Sequence, residues 1–285
     1  MGRKHKVILP ENEYRYLKCF LKAGTEKEDY WDWGFRMKRT GPILEVKNIS
    51  KNFGTVRALG NISFDLKEGE ILGLVGDNGA GRTTLLKILS GGLQPSGGNI
   101  YFKGKETRFR SPTDAMKIRI AIVYQFLELV DIASVWENFF MGRELTKRIG
   151  PLAFLDIEKM KHLTAESITK YGHTFNIERE IGELSGGQRQ IISVTRAIEA
   201  NPEILLLDEP ISGLSKRVIK DIFDILRKAK KEKDTSIIIT SQWYEQISDF
   251  IDNVIVLRRG EIVGEFDEES ADRGKIFKLA MGLTT

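Results

Sequence analysis

Ile71-Leu72-Gly73-Leu74-Val75 is an almost wholly apolar run that ends abruptly in Gly76-Asp77-Asn78-Gly79-Ala80-Gly81-Arg82-Thr83-Thr84 and continues as an apolar-rich stretch to Leu89. Such a run predicts a strand buried on both faces, the mark of a central strand in a parallel sheet. The glycines let the backbone curl tightly, so that successive N–H groups and the free N–H groups of the helix start converge on one point. A turn of this kind suits a phosphate, with the Thr83 hydroxyl offered to Mg²⁺, and all but one position obeys G-x-x-x-x-G-K-[ST]. Arg82 stands where that pattern has lysine. Taken alone, the segment also admits the reading of an ordinary glycine-rich turn.

Two other segments change its meaning. The run Ile204-Leu205-Leu206-Leu207 ends in Asp208-Glu209-Pro210, which puts two carboxylates at the carboxyl edge of a buried strand, where open α/β sheets bind ligands. There Asp208 would hold the Mg²⁺ shell and Glu209 would polarise an attacking water. Leu184-Ser185-Gly186-Gly187-Gln188 also precedes a predicted helix and offers backbone donors and a serine hydroxyl to phosphate. Each could be a plain turn or cap by itself, whereas all three in this order point to a magnesium-bound triphosphate.

From Leu44 onward short apolar strands alternate with helices, the layout of a mainly parallel sheet covered on both faces. Strands are predicted at 44–46, 62–66, 71–75, 120–123, 204–207, 237–240 and 254–257, with 71–75 and 204–207 central. Helices are predicted at 83–89, 156–171 with Asp156 as N-cap and Gly172 as stop, 188–199 and 216–230. Residues 133–183 show no convincing strand and read as a helical insertion. A short packing helix is expected beyond Glu268, around Ile276, Leu279 and Met281.

The chain has 285 residues, 41% hydrophobic and 29% charged, enough to bury a substantial core as one domain. No run reaches the roughly 18 to 20 apolar residues that cross a bilayer, and the basic start lacks the apolar centre of a secretory signal. Cys19 is the single cysteine, which excludes an internal disulfide and suits a reducing compartment. A cytoplasmic location follows. Before residue 41 there are 10 Lys and Arg against 6 Asp and Glu, leaving 34 of each in the remainder. The body is therefore neutral, and no specific nucleic-acid partner is expected. The basic segment 1–42, which carries Trp31 and Trp33, is expected to be a poorly ordered extension.

These motifs resemble those of ABC transporter ATPases, and the likeness runs from about Ile43 to about Phe266. It implies an α/β fold of the P-loop NTPase type: a mainly parallel sheet, an N-terminal antiparallel β subdomain and a helical insertion at about 133–183, within an ATPase domain at 43–268 followed by a C-terminal helix or tail at 269–285. The resemblance implies that Gly76, Asp77, Asn78, Gly79, Ala80, Gly81, Arg82, Thr83 and Thr84 hold ATP. It implies too that Asp208 and Glu209 end the metal-binding strand, and that Gln125 contacts Mg²⁺ and water. Ser185, Gly186, Gly187 and Gln188 then form the signature, which completes the ATP site of a second cassette. Phe53 falls where an aromatic stacks on adenine, although an edge or core phenylalanine competes with that role. The segments Val135 to Asn138 and Gly142 to Glu144 are most similar to subunits of ribose- or fructose-type monosaccharide importers. The implied partners are transmembrane permease subunits, a second ABC ATPase in a homodimer or heterodimer, and indirectly an extracytoplasmic solute-binding protein. The implied place is peripheral, on the inner face of the cell membrane.

Two departures bear on turnover. Arg82 keeps the charge of the usual lysine but replaces a compact ammonium with a planar fork. Gln242, in Ile239-Thr240-Ser241-Gln242, occupies the family's switch-histidine position and carries no proton at neutral pH. Apart from these two, Ser215 stands in place of the more usual aspartate in Ser212-Gly213-Leu214-Ser215. Slow hydrolysis is expected, and the rival reading is a nucleotide-binding regulator or degenerate subunit with little turnover of its own.

Overall fold

The computed structural model describes residues 41–267 and 269–283. The expectations for the basic segment, including Trp31 and Trp33, lie outside the described residues. Leu44–Phe53 (β1), Val56–Leu66 (β2), Gly97–Phe102 (β4) and Lys105–Thr107 (β5) form an antiparallel sheet in the order β2-β1-β4-β5. A six-stranded sheet is built from Ile71–Val75 (β3), Ile120–Val123 (β6), Ile204–Leu207 (β9), Ser236–Ser241 (β10), Asn253–Arg258 (β11) and Glu261–Asp267 (β12). Its order is β12-β11-β3-β10-β9-β6, parallel throughout except for the antiparallel edge strand β12. The expected mainly parallel sheet and antiparallel subdomain are both present.

Register is what positions the site. Ile239 lies opposite Leu207, Val123 opposite Leu207, and Ser241 opposite Val75. The carboxyl ends of β3, β6, β9 and β10 are therefore nearly level, and the segments after Val75, Val123, Leu207 and Ser241 leave the sheet at one edge.

Both faces of that sheet are covered. Along β9, Ile204 and Leu206 join the core shared with the antiparallel sheet and with Arg82–Leu89 (α1), while Leu205 and Leu207 join the opposite core. The second core is closed by Ile191, Val194 and Ile198 of Gly186–Glu199 (α5) and by Ile222, Ile225 and Leu226 of Lys216–Lys233 (α6). A strand whose alternate residues feed two cores must be apolar at every position, which explains the uninterrupted run.

The remaining helices are Pro112–Lys117 (α2), Val135–Phe140 (α3), Ile157–Lys170 (α4) and Arg273–Met281 (α7). Between α3 and α4 the expectation of a strand-free insertion is wrong. Thr146–Ile149 (β7) and Leu152–Leu155 (β8) pair as an antiparallel hairpin across Gly150-Pro151. Every residue of both strands is exposed, so no alternation between core and solvent is written into four-residue strands. Only the Gly-Pro turn announced them. The strands β4, β5 and β12 escaped notice for a related reason, having one buried residue at most and a mixed polarity.

The entry to the insertion is held by one buried amide. Asn138 is fully buried; its Oδ1 accepts the Val130 N–H at 2.8 Å, and its Nδ2 reaches the carbonyls of Val130, Ala133 and Ser134. Ser134 caps the same helix in a reciprocal capping box with Glu137. Asn138→Ala takes the acceptor from the Val130 N–H, while the three carbonyls keep the backbone donors of Ala133, Ile181 and residue 138, so urea denaturation is expected to show a loss of about 2 kcal/mol with an unchanged slope. A loss below about 0.5 kcal/mol would mean the amide does not pin this loop.

Candidate functional site

The glycine loop follows β3 and opens α1. Gly76 sits so close to the Leu257 carbonyl that a Cβ there would overlap it, and Gly81 combines a φ of +105° with close approach to Leu59 and Ala58. Packing thus requires glycine at position 76, and packing and backbone conformation together require it at position 81. Gly81 caps α1 without any side-chain hydrogen bond, so the first-turn N–H groups receive no capping side chain.

The structure brings the loop and the acidic pair together. Thr83 Oγ1 donates to Asp208 Oδ1 at 3.2 Å. Arg82, almost completely buried, donates through one nitrogen to the Gly76 carbonyl and through the other to Glu209 Oε1, each at 2.5 Å. Burial pulls the guanidinium below its ordinary pKa, and the carboxylates of Glu209, Asp208 and Asp77 oppose that shift; the group stays cationic. The arginine therefore spans the loop and grips the residue expected to polarise water.

Around this pair the other expected residues fall into place unequally. Gln125, two residues beyond β6, lies with Nε2 at 3.5 Å from Glu209 Oε2. Gln242 Nε2 donates to Asp77 Oδ1 at 3.1 Å, and the same oxygen accepts the Asn78 N–H at 2.7 Å. Phe53 ends β1 half exposed, with the Lys51 ammonium 5.1 Å from its ring centre, so it is an edge residue and not part of the core. Ser185, Gly186, Gly187 and Gln188 sit elsewhere: Ser185 caps α5 in a capping box with Gln188, and α5 packs on α3, α4, α6 and β6. The single chain does not bring them to its own glycine loop.

The donor set suits a hard divalent cation shared with phosphate. A hydroxyl and a carboxylate adjoin, and three carboxylates act on one guanidinium, which leaves the neighbourhood net negative. A small open cleft lies beside Glu209, lined by Ser212, Thr240, Gln242, Trp243 and Gln246 among others.

Sequence reasoning missed Thr240. Its hydroxyl donates to Asp208 Oδ1 at 3.0 Å and accepts the Glu209 N–H at 2.8 Å. The one available signal was a hydroxyl closing an isoleucine run, and a β-branched threonine is ordinary in a strand.

Residues 59–212 match the family model described as ABC transporter. The ribose import ATP-binding protein RbsA of Caldanaerobacter subterraneus is 36% identical over 241 residues, covering 85% of this chain and 48% of that protein. The arabinose import ATP-binding protein AraG of Vibrio parahaemolyticus is 39% identical over 84% of this chain and 46% of its own length. The xylose/arabinose import ATP-binding protein XylG of Sulfolobus acidocaldarius is 35% identical over 83% of this chain and 93% of its own. The chain thus spans about half the length of the ribose and arabinose relatives and nearly all of the last. Among solved structures, the ADP conformation of an ATP-binding cassette of an ABC transporter has a TM-score of 0.70 at 26% identity, covering 85% of this chain and 96% of that one. A dimeric post-hydrolysis cassette bound to ADP and Pi, 24% identical with a TM-score of 0.68, shares the fold.

The Arg82–Glu209 pair is buried enough to be measured as a coupling. A double-mutant cycle of Arg82→Met and Glu209→Gln in urea denaturation is expected to give an interaction energy of at least about 1.5 kcal/mol. Additive effects within about 0.5 kcal/mol would show that the two side chains do not engage.

Proposed function

The chain belongs to the ABC transporter family, and on that premise we propose that it is an ATP-binding subunit which hydrolyses MgATP to drive sugar import through a separate permease. The observation that carries the reading is the hydrogen bond from Thr83 to Asp208, two residues 125 positions apart that meet at the carboxyl edge of the sheet. The import relatives supply the direction and the class of solute.

In this reading the glycine loop receives the phosphates and Phe53 packs on the adenine. Thr83, Asp208 and Gln125 hold Mg²⁺, which when bound shields the phosphate charge and orients the terminal phosphate. Glu209 takes a proton from water. To do so it must shed Arg82, whose guanidinium turns from the carboxylate to the phosphate oxygens, so substrate binding and release of the base become linked. Gln242 offers its amide to the terminal phosphate but carries no proton.

The capping geometry of Ser185 to Gln188, remote from this chain's own loop, supports a site completed by a second cassette, this chain lending its signature to its partner's ATP. Because the loop and switch positions are altered while the signature is intact, the reading includes a heterodimer with one strong and one weak site. The assembly would sit on the inner face of the membrane, fed by an extracytoplasmic solute-binding protein. A second reading, a regulator that binds nucleotide with little turnover, is favoured by the same Arg82–Glu209 pair.

Phosphate release by the complex with its permease is expected to exceed that of Glu209→Gln at least about tenfold; a rate equal to the variant would establish the regulator. Arg82→Lys frees Glu209 and restores the slimmer side chain, so calorimetry is expected to show MgATP binding about tenfold tighter. Unchanged affinity would mean the fork is no obstacle. A fully active homodimer of the isolated chain would exclude the heterodimer.

A further inference from the structure

Thr240 is completely buried at the end of β10, and its hydroxyl lies between the two acidic residues of the site. A hydroxyl has one proton and two lone pairs. Here the proton goes to Asp208 Oδ1 and a lone pair takes the Glu209 N–H, so the rotor is committed in both directions. The chain Glu209 N–H to Thr240 O–H to Asp208 is a continuous hydrogen-bonded relay, in which each bond polarises the next.

Both partners need holding. Asp208 Oδ1 receives the hydroxyls of Thr83 and Thr240 together, which leaves Oδ2 as the oxygen without a protein hydroxyl. Glu209 has a φ of +47°, a left-handed backbone that is unfavourable for a residue with a Cβ. Pro210 adds to this, because proline biases the residue before it toward extended backbone. The N–H bond to Thr240 opposes that bias and so sets the direction in which the Glu209 side chain leaves the strand end.

We propose that Thr240 is a positioning residue that couples the metal-side carboxylate of Asp208 to the water-polarising carboxylate of Glu209 through its single hydroxyl. The inference rests on the roles assigned above to those two acids, and it adds a requirement that neither role contains. Without this hydroxyl the metal carboxylate and the base lose their common anchor, even though both side chains remain.

Thr240→Val keeps the shape and removes the hydroxyl, Thr240→Ser keeps the hydroxyl and removes the methyl, and Thr240→Ala replaces the valine variant should that one fail to melt cooperatively. Three readouts separate positioning from packing: ATP affinity by calorimetry with Mg²⁺ and with EDTA, the turnover number, and amide hydrogen exchange at Glu209. Thr240→Val is expected to lose about tenfold of the Mg²⁺-dependent gain in affinity and about thirtyfold in turnover, while affinity in EDTA stays within about twofold. Exchange at Glu209 accelerates. Thr240→Ser is expected to stay within about threefold of the wild type throughout. A valine variant with wild-type magnesium dependence and exchange overturns the proposal, as does a serine variant that falls equally far, since the methyl group would then be what matters. If the wild type gives no heat with MgATP the ATPase reading fails, and exchange at Glu209 still decides whether the hydroxyl holds that peptide.

Discussion

The ion pair between Arg82 and Glu209 joins the start of α1 to the end of β9, and the geometry of the site depends on it. Arg82 is buried, and a buried cation is tolerable only when its hydrogen bonds are met and an opposite charge lies close. The Gly76 carbonyl and Glu209 satisfy these demands at 2.5 Å each. The arginine thus ties the loop to the end of β9, with one oxygen of the Glu209 carboxylate bound to its guanidinium. Lysine in its place would present one compact charge without the second arm of the fork. The difference between this chain and the common pattern is therefore a second arm that reaches Glu209.

That pair works only because the sheet holds its strands in register. Leu207, Val123 and Ile239 are cross-strand neighbours, and Ser241 pairs with Val75. A slip by one residue in β10 would turn Thr240 away from Asp208 and carry Gln242 away from Asp77. The two cores fed by alternate residues of β10, Ile238 on one side and Ile237 and Ile239 on the other, oppose such a slip, because it would exchange the faces of a fully buried strand. Burial of strands far from any polar chemistry is what makes contacts of about 3 Å between residues 125 positions apart reproducible.

The site is also lopsided. One chain assembles the loop, the acidic pair, Gln125 and Gln242, while Ser185 to Gln188 use their donors to start their own helix. Ser185 and Gly186 are exposed, so the start of α5 is open to solvent with the N–H groups that the capping box does not use.

Much of this was legible in the sequence because it is governed by local rules. The strand, the glycine turn and the helix from Ile71 to Leu89 follow from burial, from glycine's tolerance of positive φ and from helix capping, all decided within about twenty residues. The same holds for the apolar run before Asp208 and for the substitution of arginine at position 82. The partner that Arg82 grips, the hydroxyl that Thr240 places between two carboxylates, and the contact of Gln242 with Asp77 were decided only by the tertiary structure, as was the hairpin of β7 and β8. These depend on which distant strands pair and in what register, and on exposed pairs too short to show a period. Side-chain chemistry along the chain names the reactive groups; only the packed sheet determines which of them meet.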